Sequence, residues 1–294
     1  MSTRRLNRIL DFDESYGVMS AEAGCILSTL QGHARERGYE MPLDLGSKES
    51  CMIGGNLSTN AGGLKLIRHN SLHANTIGLK AVLANGTILD NMTTLRKDNT
   101  GFDLKQLFIG AEGALGLITE CAIMCPALAV KKNVAIVGLN SCEDVFKLMQ
   151  KTKSSIGDIL YSFEMMDRVC MENVLECSVG AQYPFSEKYA CYVLIETGST
   201  SASGTDGEDP DLERLYSLFE EAGDLIADGT VAQDLKQFQQ IWYLRENAAP
   251  AGINYGYVSI LLKFYHLFVA YYIELEIRCV YAPQGLLQGS RCNA

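Results

Sequence analysis

One tryptophan, six prolines and four histidines are all that 294 residues hold of those types, and acidic residues outnumber basic ones, 35 to 25. The formal charge of −10 argues against non-specific binding of nucleic acid or of an anionic membrane surface. A small anionic substrate stays possible, because one local Arg or Lys can hold it. The ten cysteines include no C-x-x-C pair, and the nearest two, Cys121 and Cys125, are four apart. That spacing is no zinc signature, so the cysteines read as buried thiols of a reducing compartment. Among the histidines, only His69 and His73 stand four apart. On a helix that spacing suits zinc, but the segment reads as a loop and no metal site is assigned to it. Neither G-x-G-x-x-G nor G-x-x-x-x-G-K-[ST] occurs, which removes two familiar phosphate-binding fingerprints. The first ten residues carry three arginines and no apolar stretch, so they form no secretory signal. Ser259–Ile273 is mostly apolar, yet it is shorter than the about 20 residues of a membrane span. Lys263 and His266 also interrupt it.

What is present is a globular composition, 47% hydrophobic and 20% charged, in a chain long enough for two cores. Its densest feature is Cys51–Gly63, C-M-I-G-G-N-L-S-T-N-A-G-G. Glycine lets backbone pass close to a ligand, and Asn tolerates the left-handed region. Such a segment can present N–H groups to a phosphate or a flat ring; the plain alternative is a flexible surface turn. A second segment, Phe108–Thr119, reads F-I-G-A-E-G-A-L-G-L-I-T, with Gly110, Gly113 and Gly116 spaced three apart around Glu112.

Together the two segments resemble the flavin-binding half of the vanillyl-alcohol-oxidase-type FAD family. P-L-D-L-G-S-K at 42–48, S-L-H at 71–73 and T-L-R-K-D-N-T-G-F-D-L-K-Q-L-F-I-G at 94–110 are similar to its D-2-hydroxyglutarate dehydrogenase branch. The resemblance runs from about Arg5 to Val258. It implies oxidation of D-2-hydroxyglutarate to 2-oxoglutarate with hydride transfer to FAD. A flavoprotein or quinone pool would accept the electrons, in mitochondria. The implied cofactor contacts are Pro42, Leu43, Gly54, Gly55, Asn56, Thr59, Asn60, Gly62 and Gly63 in the first segment and its approach. From the second segment come Glu112, Gly113, Gly116 and Ile118. The family's pyrophosphate-gripping loop would precede Met1, so the resemblance implies a chain truncated at both ends with a weak FAD half-site.

Arg245, in I-W-Y-L-R-E-N, is by the same resemblance the clamp for the substrate carboxylate. Its planar fork suits that task. Ala249 and Ile260 stand where the family has Thr and Lys. The family's zinc cluster, H-x-G-D-G-N-L-H followed by a Glu-His pair, does not occur in the sequence. The expectation is therefore an inactive fragment. Two alternatives stand beside it: a relative acting on D-lactate or glycolate, and a non-catalytic remnant or binding module.

The fold class expected is α+β. Residues 1–126 form the distal half of the FAD-binding domain, 127–258 an α+β substrate (cap) domain, and 259–294 a divergent apolar tail. The family pattern implies a strand over Ser2–Leu10. Alternation predicts strands over Gly17–Cys25, Ile118–Met124, Val134–Leu139, Ile159–Glu164 and Tyr189–Thr197. Asn85-Gly86 marks a hairpin within Ile77–Asp90. Helical spacing predicts helices over Ile26–Arg37, Glu143–Lys151, Asp167–Cys177, Leu212–Ala222 and Gln233–Arg245. Gly198–Asp211 reads as a polar acidic loop.

Overall fold

The computed structural model of the chain describes residues 2–200 and 209–254. The tail from Ser259 and the position of Ile260 lie outside the described residues.

Nine strands form two antiparallel sheets among the described residues. The first runs β1 (Ile9–Asp13), β2 (Val18–Glu22), β5 (Leu117–Met124), β3 (Thr76–Val82) and β4 (Ile88–Asn91) across its width. Helix α1 (Leu27–Arg35) buries Leu27, Leu30 and Ala34, the spacing that predicted it, in a core shared with Met19, Ala21, Leu79 and Cys121 of the sheet. Gly38 follows it with φ +78°, and Tyr39 and Glu40 then lead to the seam with the second unit. The predicted hairpin is present, with Val82 opposite Ile88 around the Asn85-Gly86 turn.

The second sheet has the order β7 (Leu160–Asp167), β8 (Cys191–Ser199), β6 (Lys131–Leu139) and β9 (Asp228–Val231). Both of its faces are covered, and side-chain alternation decides which residue goes where. Ala135, Val137 and Leu139 of β6 join Cys191, Val193 and Ile195 of β8 in a core with α5 (Cys142–Ile156) and α7 (Pro210–Ala222). Val134, Ile136, Tyr192 and Leu194 face the other way. They pack with α6 (Arg168–Cys177), α8 (Leu235–Glu246) and α9 (Ala248–Asn254). Oxygen-bearing side chains start these helices: Ser141, Asp167, Asp209 and Asp234 each accept a backbone N–H of the first turn.

Three expectations need correction. The first strand is Ile9–Asp13, not Ser2–Leu10; residues 3–6 instead turn beneath Gly24, whose N–H donates to the Leu6 carbonyl at 2.7 Å. The glycine-rich stretch is not all loop, because Ile53–Ser58 forms α2, a short helix anchored by buried Ile53 and Leu57. His69 and His73 lie in two separate single turns, α3 (Leu66–His69) and α4 (Leu72–Asn75), parted by Asn70 at φ +64°. They are not one turn apart on one helix.

Candidate functional site

The two glycine segments meet. Gly110 N–H donates to the Leu57 carbonyl at 3.0 Å, and Glu112 N–H to the Ser58 carbonyl at 2.9 Å. Gly54 N–H reaches the Ala23 carbonyl at 2.7 Å, while Ala23 N–H reaches that of Thr119 at 2.9 Å. Helix α2 is thereby attached at Ala23, just past the end of β2 where that strand pairs with β5, and the ends of both segments form one surface.

The glycines on this surface divide into two kinds. A Cβ on Gly54 would lie 2.6 Å from the Ala23 Cβ, one on Gly63 2.1 Å from the Asp44 oxygen, and one on Gly116 2.7 Å from the Val82 oxygen. These three allow the chain to pack on itself. Gly55 and Gly113 would meet nothing within 4 Å, so their bare backbone faces open space. Asn60 and Glu112 hold positive φ, 47° and 49°, a costly conformation for residues with a Cβ. Glu112 directly precedes Gly113, and the Asn60 Cβ lies 3.4 Å from where a Cβ on Gly110 would be.

Buried chemistry at the same place lacks a partner. Asn56 Oδ1 and Asn60 Oδ1 are enclosed and accept no hydrogen bond from any of the described residues. An unsatisfied buried polar atom costs about 1–3 kcal/mol, so a ligand that satisfies both fits the site. Thr59 is exposed and its hydroxyl turns back to the Gly55 carbonyl at 3.1 Å. Gly62 is exposed, and Pro42 is buried. The side chains of Leu43 and Ile118 belong to the core, which leaves only their backbone for a cofactor.

Arg245 sits elsewhere, on the last turn of α8, and is buried with Glu164 of β7. Its Nε donates to Glu164 Oε2 at 2.9 Å, and Nη2 donates to the same oxygen. Sequence reasoning missed Glu164, which only the strand-to-helix crossing brings to Arg245. Ala249 lies on the next helix, α9. No hydrogen bond among the described residues joins Arg245 to the glycine surface.

A second feature without a sequence signal lies where the two units dock. Glu40, 5% exposed, accepts from Lys65 Nζ at 2.5 Å, His69 Nε2 at 3.0 Å and the Tyr161 hydroxyl at 2.7 Å. Burial alone would raise its pKa. The bonds and charge of His69 and Lys65, with the Tyr161 hydroxyl, outweigh that and hold it down at about 2. Burial lowers the pKa of His69 despite the neighbouring carboxylate, so this imidazole donates to Glu40 as a neutral ring. Ser162 bonds the Leu64 carbonyl at 2.9 Å, and Arg68 bonds the Asp158 carbonyl across the same seam.

Comparison with known proteins places the chain. Residues 1–91 match the FAD binding domain model, and residues 129–262 match the model for the C-terminal domain of FAD linked oxidases. The chain belongs to the family of FAD-linked oxidoreductases built from these two domains. Within it, the chain is 45% identical over 254 residues to a probable mitochondrial D-2-hydroxyglutarate dehydrogenase of Oryza sativa subsp. indica, covering 86% of this chain and 45% of that protein. A putative mitochondrial D-lactate dehydrogenase of Schizosaccharomyces pombe is 43% identical, over 82% of this chain and 45% of that protein. The chain thus spans about half the length of these curated relatives. Among solved structures, an alkyldihydroxyacetonephosphate synthase matches with a TM-score of 0.61 at 18% identity, over 84% of this chain and 45% of that one. That likeness supports the shared fold.

Among the described residues no helix is long and apolar enough to cross a membrane. No group of three His, Cys, Asp or Glu side chains is placed there to hold a metal ion.

Proposed function

We propose that the chain supplies the distal flavin site and part of the substrate domain of a mitochondrial D-2-hydroxyglutarate dehydrogenase, which oxidises its substrate to 2-oxoglutarate. The observation that carries this reading is the junction of the glycine segments at Leu57–Gly110 and Ser58–Glu112, with Asn56 and Asn60 unpartnered inside it. FAD, when bound, would supply the hydride acceptor. The backbone of Gly55, Gly110 and Gly113 and the amides of Asn56 and Asn60 would hold it.

Arg245 is proposed as the carboxylate clamp, with Glu164 fixing the guanidinium from one edge so that the rest of the fork points one way. His69 and His73 lie on separate single turns, and among the described residues no group of three His, Cys, Asp or Glu side chains surrounds them, so they do not fit the family's zinc. A flavoprotein or quinone would receive the electrons. We further propose that the site holds FAD weakly. A pyrophosphate needs several charge-assisted hydrogen bonds of roughly 1.5–3 kcal/mol each, and the backbone N–H groups of Asn56, Thr59, Asn60, Ala61, Gly110 and Glu112 already donate to carbonyls of the protein.

The test is the absorbance spectrum of the purified chain before and after gel filtration with added FAD. A flavin spectrum that appears with added FAD and decays on filtration is expected. A chain that never takes up flavin is a remnant or binding module instead. The second substrate reading, D-lactate, draws on the S. pombe relative. Comparing D-lactate with D-2-hydroxyglutarate as protectants against thermal unfolding separates the two.

A further inference from the structure

His73 stands at the rim of the glycine surface and is gripped twice by Gln106. Gln106 Nε2 donates to the His73 backbone carbonyl at 3.0 Å and lies 3.4 Å from Asp103 Oδ2. Both partners are acceptors, so that end of the amide is the NH₂ and the other end is the carbonyl. This carbonyl, Gln106 Oε1, faces His73 Nδ1 in a hydrogen bond. A carbonyl can only accept, so Nδ1 carries the proton in the neutral ring and Nε2 is left with its lone pair.

Nε2 lies against Gly110. It lies 3.8 Å from where a Cβ on Gly110 would be, and the Asn60 Cβ lies 3.4 Å from the same point. Gly110 holds φ +82° and is exposed. No hydrogen bond to Nε2 is present among the described residues, and Asn60 Oδ1 beside it is enclosed without a partner. A phosphate brings acceptors to a site. At Gly110 a phosphate would meet the lone pair of His73, whereas an N–H or O–H would satisfy it.

We infer that His73 is a cofactor-positioning residue: its Nε2 accepts a hydrogen bond from an N–H or hydroxyl group of the flavin cofactor seated over Gly110, and Gln106 fixes the tautomer that makes this possible. The pyrophosphate then lies away from Gly110. The inference rests on the flavin reading above and specifies which polarity of group the cofactor presents there.

Imidazole ¹⁵N resonances of the full 294-residue chain test it without any turnover. In the FAD-free protein, His73 is expected as the Nδ1–H tautomer, and on titration with FAD its Nε2 resonance should move as the lone pair accepts. His73→Phe should weaken FAD binding roughly two- to tenfold, the worth of one neutral hydrogen bond. The variant also loses the Nδ1 bond to Gln106, so its FAD affinity is read by direct titration of the folded protein and not from its melting temperature. Gln106→Leu should raise the Nε2–H population and weaken FAD in proportion. An Nε2–H tautomer in the FAD-free chain, or an unmoved Nε2 resonance at saturating FAD, overturns the inference and leaves the flavin reading intact. Unchanged FAD affinity in His73→Phe does the same. No FAD binding at all overturns both.

Discussion

Glu40 is the residue on which the docking of the two units depends most. Its carboxylate is enclosed by Lys65, His69 and Tyr161, with the Lys132 ammonium 4.4 Å from the Tyr161 ring centre. Taking away one member of a buried ion pair strands the other, at a cost of roughly 3–5 kcal/mol. Glu40→Ala should therefore lower unfolding stability by about that much, measured by urea denaturation. The pH dependence follows from the sign of the shifts. The pKa of Glu40 falls from 4.5 to about 2 on folding, so its contribution is complete above pH 4.5 and is lost as pH falls towards 2. A shift of that size corresponds to roughly 3 kcal/mol. The lowered pKa of His69 acts in the same direction, with stability lost as pH falls below about 6.5. The urea midpoint of the native chain should drop steeply on acidification, and that of Glu40→Gln should drop less. Equal acid limbs would show that the carboxylate contributes nothing to the docked state.

At the scale of elements, α2 separates two roles that glycine plays in one turn. Gly54→Ala should destabilise the fold by roughly 1–3 kcal/mol, since the added methyl would press on Ala23, which is tied to Thr119. Gly55→Ala, whose methyl meets nothing, should leave the fold as stable or more so while obstructing the cofactor. Thermal melts with and without FAD distinguish the two variants; similar losses in both FAD-free proteins would refute the division. Legibility followed the same physics. Strands β6, β7 and β8 of the second sheet were readable because their central residues alternate between two apolar cores, as Val134 and Ala135 illustrate. Helix α1 was readable from Leu27, Leu30 and Ala34. Helix α2 was hidden because Gly54, Gly55 and Asn56 are poor helix formers, and Leu57 and Ile53 act only through tertiary packing. Strand β9, four residues with a glycine at its second position, gave no alternation to read. The meeting of the glycine segments was implied by the family resemblance that sets both against FAD, but Glu164, Glu40 and Gln106 were not legible, since each acts on a residue far away in sequence.

For the whole molecule, the question is whether a chain proposed to bind flavin and to clamp a carboxylate also turns a 2-hydroxy acid over. We expect that it does not. Arg245 can hold one end of a 2-hydroxy acid, with Glu164 keeping the guanidinium in place. The hydroxyl proton must also leave as the hydride does, and a positioned base or metal typically contributes 10²–10⁴-fold to such a step. The candidates within the described residues are placed elsewhere: His69 donates to Glu40, and the free Nε2 of His73 is turned to Gly110 on the glycine surface, where it is proposed to accept from the cofactor. His33 lies on α1 with its ring edge-on to Phe12 of β1. Ala249 offers no hydroxyl to orient the substrate. Dye reduction with D-2-hydroxyglutarate, in the presence of added FAD and zinc or manganese, checks this against a full-length relative. The expected rate is below one-hundredth of the control, the lower end of what the missing base would contribute. A rate within tenfold of the control, abolished by Arg245→Ala, would mean that the proton leaves by a route these residues do not reveal. The non-catalytic assignment of the 294-residue chain would then be withdrawn, while the Arg245 clamp would stand.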